Sequence, residues 1–212
     1  MKPGRNILMS AVLTMLAAVS VASAEKTADF VRGGRAVSEI IVSQRAGEPE
    51  LYAAQELQTW IGNITGAFVP VLKKCSGESN VKIFIGREFA AKDYRKDLGA
   101  IGGTDGFAVR TAREADGTTK IFVFGTVPRG TLHGVCELLE RNTDIIWARP
   151  DPVIGTVYGR TENLPVKEAD FIDIPKSRFR GWQWIYHSPA GETEWSSRNR
   201  MNRLGMDQPK FA

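Results

Sequence analysis

Residues 47–66, GEPELYAAQELQTWIGNITG, decide the fold. Apolar side chains recur in this stretch at steps of three and four residues, which predicts a helix with one apolar face made of Leu51, Ala54, Leu57, Ile61 and Ile64. Pro49 stands early, where a helix needs no N–H donor, and Gly66 supplies the stop. Short β-branched runs flank the helix at 38–43 and 68–72, so we predict a strand–helix–strand unit.

Further elements follow along the chain. Residues 81–85 (VKIFI) predict a strand, Asp116-Gly117 predicts the turn of a hairpin, and a second amphipathic helix starts at Pro128. The other segments are a weakly helical stretch at 87–98, hairpin strands at 106–111 and 120–124, strands at 145–148 and 170–174, and a loop-rich connection at 151–165. We therefore predict an α+β fold, in which about six or seven strands form a mixed sheet and two main helices cover one face.

The first 24 residues have the organisation of a secretory signal peptide. Lys2 and Arg5 form a positive start, a mostly apolar run follows, and Ala22-Ser23-Ala24 is a small-residue cleavage site. The alternative, an uncleaved membrane anchor, is disfavoured because the apolar run is shorter than about 20 residues. We expect an exported protein, periplasmic or extracellular after cleavage near Ala24, that meets the membrane only during export.

Charge and composition exclude several classes of function. Loss of Lys2 and Arg5 lowers the net charge from +4 to +2, and no basic stripe with interleaved aromatic residues is present, so we expect no nucleic-acid partner. The two cysteines, Cys75 and Cys136, can pair in an oxidising compartment, although Cys136 lies on an apolar helix face and is typical of a buried thiol. Two cysteines and two distant histidines do not make a metal site, and no nucleotide-binding glycine motif occurs, so we expect neither metal nor cofactor.

Candidate catalytic side chains are few. His133 lies on a predicted helix, where a packed or surface histidine is commoner than a general base. Glu137 and Glu140 are neighbours on the same helix, a spacing typical of a solvated face rather than of the carboxylate pair that glycoside hydrolysis needs. We assign no catalytic residue.

The most unusual composition lies near the end of the chain. Trp182, Trp184 and Trp195 fall within fourteen residues, with several arginines close by. Aromatic side chains stack on the faces of sugar rings, and arginine donates hydrogen bonds to sugar hydroxyl groups. These residues are therefore candidates for carbohydrate binding. Packing of the tryptophans in a core or an interdomain seam is the equally open alternative.

Two blocks of sequence resemble an accessory domain of glycoside hydrolases. Residues 50–61 (ELYAAQELQTWI) with 64–71 are similar to its first helix and strand, and residues 128–140 with Trp147 are similar to its second helix and next strand. This domain precedes the catalytic barrel in family 20 β-N-acetylhexosaminidases, family 67 α-glucuronidases and many uncharacterised exported bacterial proteins. The resemblance implies a non-catalytic α+β domain, over residues 25–176, that packs against the barrel.

A third block resembles the first strand of that barrel. It runs through Ile174-Pro175 to Arg178-Phe179-Arg180-Gly181-Trp182, and by this match Arg180 is a candidate sugar ligand. Ile185 is a departure from this match, since the family 20 enzymes have an aspartate there. Residues 195–204 (WSSRNRMNRL) resemble the next segment of the uncharacterised exported group, which favours that group over true hexosaminidases. Residues 177–212 are far fewer than the roughly 250 that a (β/α)₈ barrel requires, so we expect this segment to be its truncated start, with exposed tryptophans.

These observations favour one function and leave others open. We expect the non-catalytic N-terminal domain of an exported carbohydrate-active glycoside hydrolase, inactive alone, with polysaccharide or glycan as partner. The first alternative is a free-standing secreted carbohydrate-binding module that uses Trp182, Trp184 and Trp195. The second is a small secreted enzyme of unrelated mechanism.

Overall fold

The computed structural model of the chain describes residues 28–181 and 190–202. Its strands are β1 (Asp29–Arg32), β2 (Arg35–Ala36), β3 (Ser38–Val42), β4 (Val71–Leu72), β5 (Val81–Ile85), β6 (Phe107–Arg113), β7 (Thr119–Gly125), β8 (Ile146–Trp147), β9 (Thr156–Val157), β10 (Leu164–Pro165) and β11 (Phe171–Asp173). Its helices are α1 (Glu48–Thr65), α2 (Arg87–Ala90), α3 (Arg95–Ile101), α4 (Pro128–Asn142) and α5 (Glu192–Arg198). The signal-peptide prediction lies outside the described residues.

A six-stranded mixed sheet forms the centre, in the order β11-β6-β7-β5-β3-β4. Strand β3 pairs in parallel with β4 and β5, and β5 pairs in parallel with β7. Strand β6 pairs antiparallel with β7 and with β11. The Asp116-Gly117 turn joins β6 to β7 as predicted, with the Asp116 carboxylate accepting the N–H of Thr118 at 2.8 Å. The α+β prediction is thereby confirmed.

Helix α1 begins and ends as the sequence predicts. The Glu50 carboxylate accepts the N–H of Gly47 at 3.2 Å, which satisfies a donor that the first turn leaves unpaired. At the other end Gly66 takes a φ of 76° and donates its N–H to the carbonyl of Gly62 at 2.7 Å. A left-handed residue at this position is the usual glycine stop.

Helices α1 and α4 pack side by side on one face of the sheet, as predicted. Their apolar faces meet the inward side chains of the central strands, for example Ile83 of β5 and Val123 of β7, in one large core. Two glycines let α4 approach the sheet closely. A Cβ on Gly134 would lie 3.0 Å from a methyl of Val123, and one on Gly130 would lie 2.4 Å from the carbonyl oxygen of Gly106.

The opposite face of the sheet has its own small core. Ala90 of α2 and Ile101 of α3 pack with Ala108 and Phe124, which point away from the main core because side chains alternate along a strand. The segment predicted as weakly helical is therefore two short helices that cover this second face. Because these two helices cover the second face, the central strands carry apolar side chains on both faces of the sheet.

The structure has strands that the sequence analysis missed. Strands β10, β1 and β2 form a separate three-stranded sheet, and β8 pairs with β9 across the connection predicted as a loop. Strand β8 lies within the strand predicted at 145–148, whereas β1, β2, β9 and β10 were not predicted. Strands β2, β9 and β10 have two residues each, too few to show an alternating pattern. Strand β10 pairs with β1 more than 120 positions earlier, which leaves no local mark in the sequence.

Helix α5 was not predicted, and it packs on the domain. Trp195 of α5 is partly buried against the main core, unlike the exposed position we expected. The helix ends at Arg198, and two residues later Arg200 takes the left-handed conformation, with a φ of 58° where glycine is usual. The Arg200 guanidinium donates hydrogen bonds to both carboxylate oxygens of Glu140, at 2.8 and 3.1 Å, and so holds the C-terminal end of α5 against α4.

The glutamates on α4 therefore differ from the prediction of a solvated face. Glu140 and Glu137 both pair with Arg200, at 2.8 and 3.3 Å, and Glu137 also pairs with Arg141. Their role is to hold the C-terminal segment against α4. Cys136, on the buried face of the same helix, is a free thiol, and so is the exposed Cys75.

Candidate functional site

A cleft of about 510 Å³ opens between α1, the β8–β9 hairpin and α5. Its walls are aromatic side chains, and its rim is polar or charged. The lining residues come from parts of the chain far apart in sequence: Trp60 and Asn63; Trp147, Arg149, Asp151, Pro152, Val153, Thr156 and Tyr158; Gly191, Glu194, Trp195 and Arg198. The volume lies within the usual range of small-molecule sites.

The aromatic rings form a connected wall. Trp60 meets Trp147 edge to face with ring centroids 5.0 Å apart, and it meets Tyr158 in the same way at 5.7 Å. Trp195 donates its indole N–H to the carbonyl of Trp147 at 2.9 Å, which fixes its ring beside them. Edge-to-face contacts of this kind are the preferred geometry of aromatic pairs, so the rings stabilise one another.

Arg198 joins the two halves of the cleft. Its guanidinium bonds both oxygens of Glu56 at 2.7 and 2.9 Å and lies 5.1 and 5.2 Å from the ring centroids of Trp60 and Trp147. Glu56 also accepts the indole N–H of Trp60 at 3.2 Å. Burial alone would lower the pKa of Arg198, but the hydrogen bonds that it donates to Glu56 raise the pKa, so this side chain stays charged.

The rim carries both hydrogen-bond donors and acceptors. The Asp151 carboxylate accepts the N–H groups of Val153 at 2.8 Å and Ile154 at 3.0 Å, and these bonds lower its pKa. Arg149 and Asn63 are exposed beside the cleft. The rim can therefore bond several hydroxyl groups of one ligand at once.

Of the tryptophans predicted to bind sugar, Trp195 lies in this cleft. Trp182 and Trp184 lie outside the described residues. The sequence analysis missed Trp60, Trp147 and Tyr158, because each follows an ordinary core or strand pattern and nothing local brings them together. Trp195 also lies between the α+β domain and the segment that follows it. This position agrees equally with the alternative to sugar binding, which is packing in an interdomain seam.

Arg180 lies in a different place, beside the N-terminal end of α4. Its guanidinium bonds the carboxylate of Asp105 at 2.6 Å, the carbonyl of Arg200 at 2.8 Å and the carbonyl of Ser177 at 3.0 Å. Its backbone N–H donates to the side chain of Asn202 at 2.8 Å. The structure thus uses Arg180 to tie the C-terminal segment to the loop before β6.

His133 is fully buried behind Asp105, with its Nδ1 3.3 Å from the Asp105 carbonyl. Desolvation lowers its pKa to about 3, against a smaller opposing effect of the Asp105 carboxylate. The side chain is neutral and packed, which agrees with the structural role expected for it.

The described ranges, 28–181 and 190–202, hold neither a cluster of metal ligands nor a membrane-spanning helix. No group of three or more histidine, cysteine, aspartate or glutamate side chains is arranged there to hold a metal ion. Over the same residues, none of the helices combines the length and the apolar composition needed to cross a bilayer.

Solved structures share this fold. A family GH115 4-O-methyl-α-glucuronidase with specificity for decorated arabinogalactans superposes with a TM-score of 0.51 and 15% identity, over 82% of this chain and 25% of that one. The similarity is to part of an α-glucuronidase, which confirms the fold that the sequence resemblance implied. The chain spans about a quarter of the length of that enzyme.

Two hexosaminidases match more loosely. The GH20 β-N-acetylhexosaminidase of Streptomyces coelicolor gives a TM-score of 0.38 at 14% identity, over 71% of this chain and 24% of that one. The β-hexosaminidase of Streptomyces plicatus gives 0.30 at 16%, over 66% and 23%. At these scores neither adds to the assignment. No protein-family model and no curated protein matches the chain.

Proposed function

We propose that the chain carries the non-catalytic accessory domain of an exported carbohydrate-active glycoside hydrolase, of the α-glucuronidase or hexosaminidase type. The observation that supports this most is the shared fold: most of this chain superposes on one quarter of a glucuronidase. The sequence blocks at 50–71 and 128–147 support it independently. The domain would then pack against a catalytic barrel and help to hold it.

The docked C-terminal segment fits this proposal. Arg180, Arg198 and Arg200 tie residues 177–181 and 190–202 to Asp105, Glu56 and Glu140, each on a different part of the domain. A following domain that begins at residue 177 would leave the accessory domain in a fixed direction. Under this proposal the arginines position the second domain, and Arg180 as a sugar ligand remains a separate hypothesis.

The genomic DNA after the codon of Ala212 tests the proposal most directly. We expect a reading frame that continues into a barrel of alternating strands and helices with paired carboxylates near the strand ends. A stop codon directly after Ala212 would contradict it. Export is tested by cell fractionation and N-terminal sequencing, which should find the mature chain starting at Glu25 outside the cytoplasm.

A free-standing carbohydrate-binding module is the second candidate function, and the aromatic cleft at Trp195 favours it. The purified mature chain should then bind a glycan without hydrolysing it, and Trp182→Ala or Trp184→Ala should weaken binding. Hydrolysis of a glycosidic bond by residues 25–212 alone would contradict both proposals and support a small secreted enzyme.

A further inference from the structure

We propose that the cleft between α1, the β8–β9 hairpin and α5 binds an uncharged sugar residue of a glycan chain. This site differs from the tryptophan set that the sequence suggested, since most of its walls come from the α+β domain. The inference rests on the proposed function in one respect, that the protein works on carbohydrate. Its position and ligand class follow from the geometry of the cleft.

The walls suit the apolar faces of a pyranose ring. Trp60 and Trp147 are largely buried, with 9% and 5% of their surface exposed, and the Arg198 guanidinium lies over both rings, so they support the cleft from below. Tyr158 and Trp195 are more exposed and offer the ring surface on which a sugar can stack. A rigid aromatic surface binds a flat apolar face at little cost in side-chain entropy, which is the usual chemistry of sugar stacking.

The charges of the rim decide between neutral and charged sugars. Two arginines, Arg149 and Arg198, and two acids, Asp151 and Glu194, line the cleft, and Glu56 behind Arg198 adds a third acid, so the cleft carries no excess of positive charge. Glu56 holds Arg198 in a bidentate pair, which leaves little positive potential to attract a carboxylate or a sulfate. Guanidinium donors beside carboxylate acceptors match the hydroxyl groups of a neutral sugar, each of which both donates and accepts.

The cleft exists because α5 is docked. Trp195 and Arg198 of α5 form one wall, and residues of α1 and the β8–β9 hairpin form the others. The pair between Arg198 and Glu56 crosses 142 residues of sequence. A sugar in the cleft would therefore contact both sides of the boundary at residue 176 and strengthen the docking.

The test is isothermal titration calorimetry on the mature full chain. The probes are four neutral tetrasaccharides (cellotetraose, xylotetraose, β-1,4-galactotetraose and chitotetraose), with tetragalacturonate as the charged comparison. Arg149→Gln removes an exposed donor of the rim, and Tyr158→Leu removes an aromatic ring of the wall. Arg113→Gln makes the same charge change on an exposed residue of β6, outside the cleft.

We expect at least one neutral tetrasaccharide to bind, with affinity about tenfold lower in Arg149→Gln and in Tyr158→Leu and unchanged in Arg113→Gln. Circular dichroism should show the three variants folded. Binding that both cleft variants retain would overturn the site but leave the proposed function standing. Preference for tetragalacturonate would overturn the ligand class. If no neutral probe binds, the whole inference is overturned. The reading frame after Ala212 tests the proposed function separately.

Discussion

Glu56 is 7% exposed on α1 and accepts two bonds from Arg198 and one from the indole of Trp60. Glu56→Gln removes the charge that compensates a largely buried guanidinium. We expect the free energy of unfolding to fall by about 2–4 kcal/mol, below the range for fully buried pairs because Arg198 keeps some exposure. Urea unfolding followed by circular dichroism measures this change.

Glu114→Gln is the matched control for that variant. Glu114 pairs with Lys120 at 2.7 Å on the surface, where a salt bridge contributes about 0–1 kcal/mol. If both variants lose the same free energy of unfolding, the Glu56–Arg198 pair stabilises the protein no more than an exposed salt bridge does.

Gly130 of α4 is a second residue whose identity is fixed by packing. A Cβ there would lie 2.4 Å from the Gly106 carbonyl, so Gly130→Ala should destabilise the protein by about 1–3 kcal/mol despite the better helix propensity of alanine. Gly99→Ala in α3 meets nothing within 4 Å and should stabilise by about 0.5–1 kcal/mol. Thermal unfolding of both variants compares them, and a stabilised Gly130→Ala would refute the close approach.

His133 makes stability depend on pH. Its folded-state pKa of about 3 lies below the unfolded value near 6.5, so the unfolded chain binds the proton more readily. This contribution is complete above pH 6.5 and is lost as the pH falls toward 3, by roughly 1 kcal/mol per pH unit. Urea unfolding at pH 6.5, 5.5 and 4.5 should give a shallower decline for His133→Gln than for the wild type, and parallel declines would contradict the assignment.

At the residue scale, the sequence predicted part of the candidate site. The density of aromatic residues near the end pointed to Trp195. Trp60 and Trp147 occupy positions where an apolar side chain satisfies the local pattern equally well. Only the packing of α5 against α1 brings these rings together, and no local rule contains that contact.

At the scale of elements, α5 is the segment whose docking can be measured. Its arginines pair with Glu56 on α1 and Glu140 on α4. A double variant, Glu56→Gln with Glu140→Gln, should therefore expose the peptide bonds after Arg198 and Arg200. Trypsin digestion followed by mass spectrometry should show these bonds cleaved several-fold faster than in the wild type.

Glu78→Gln with Glu114→Gln removes the same charge away from α5 and serves as control. Cleavage after Arg45, in the loop before α1, reports general loosening of the domain. If the bonds after Arg198 and Arg200 are cleaved equally fast in wild type and double variant, the arginine pairs do not hold the helix.

The predicted elements differ in how well they were located. Helix α1 and strand β5 have long or strongly patterned apolar sequences, and their predicted positions agree with the structure. The small sheet of β10, β1 and β2 depends on pairing between residues more than 120 positions apart. The sequence from 192 to 198 has no long apolar face, and tertiary ion pairs rather than its own pattern fix it as a helix.

At the scale of the whole molecule, the β8–β9 hairpin carries an exposed apolar patch. Ile146, Val153, Ile154 and Val157 are 59%, 86%, 58% and 56% exposed. Patches of this kind promote association between copies. Ile146→Thr with Val157→Thr keeps β-branched side chains and should lower the light scattering of concentrated protein without changing its thermal midpoint.

Phe68→Ser is the control for the patch, since Phe68 is an isolated exposed apolar side chain elsewhere on the surface. Scattering that falls equally in both variants would mean that general hydrophobicity, rather than the hairpin, drives association. The sequence could not have predicted this patch, because its residues were placed in a strand end and a loop with no assigned partner.

The pair between Glu56 and Arg198 also sets an order of events during synthesis. A ribosome makes Glu56 early and Arg198 142 residues later, so the residues of α1 to α4 and of the six-stranded sheet are all synthesised before this ion pair can form. Until then Glu56 faces water and α1 lacks part of its cover. The aromatic cleft is therefore completed late, and a ribosome that stalls before residue 198 leaves it open.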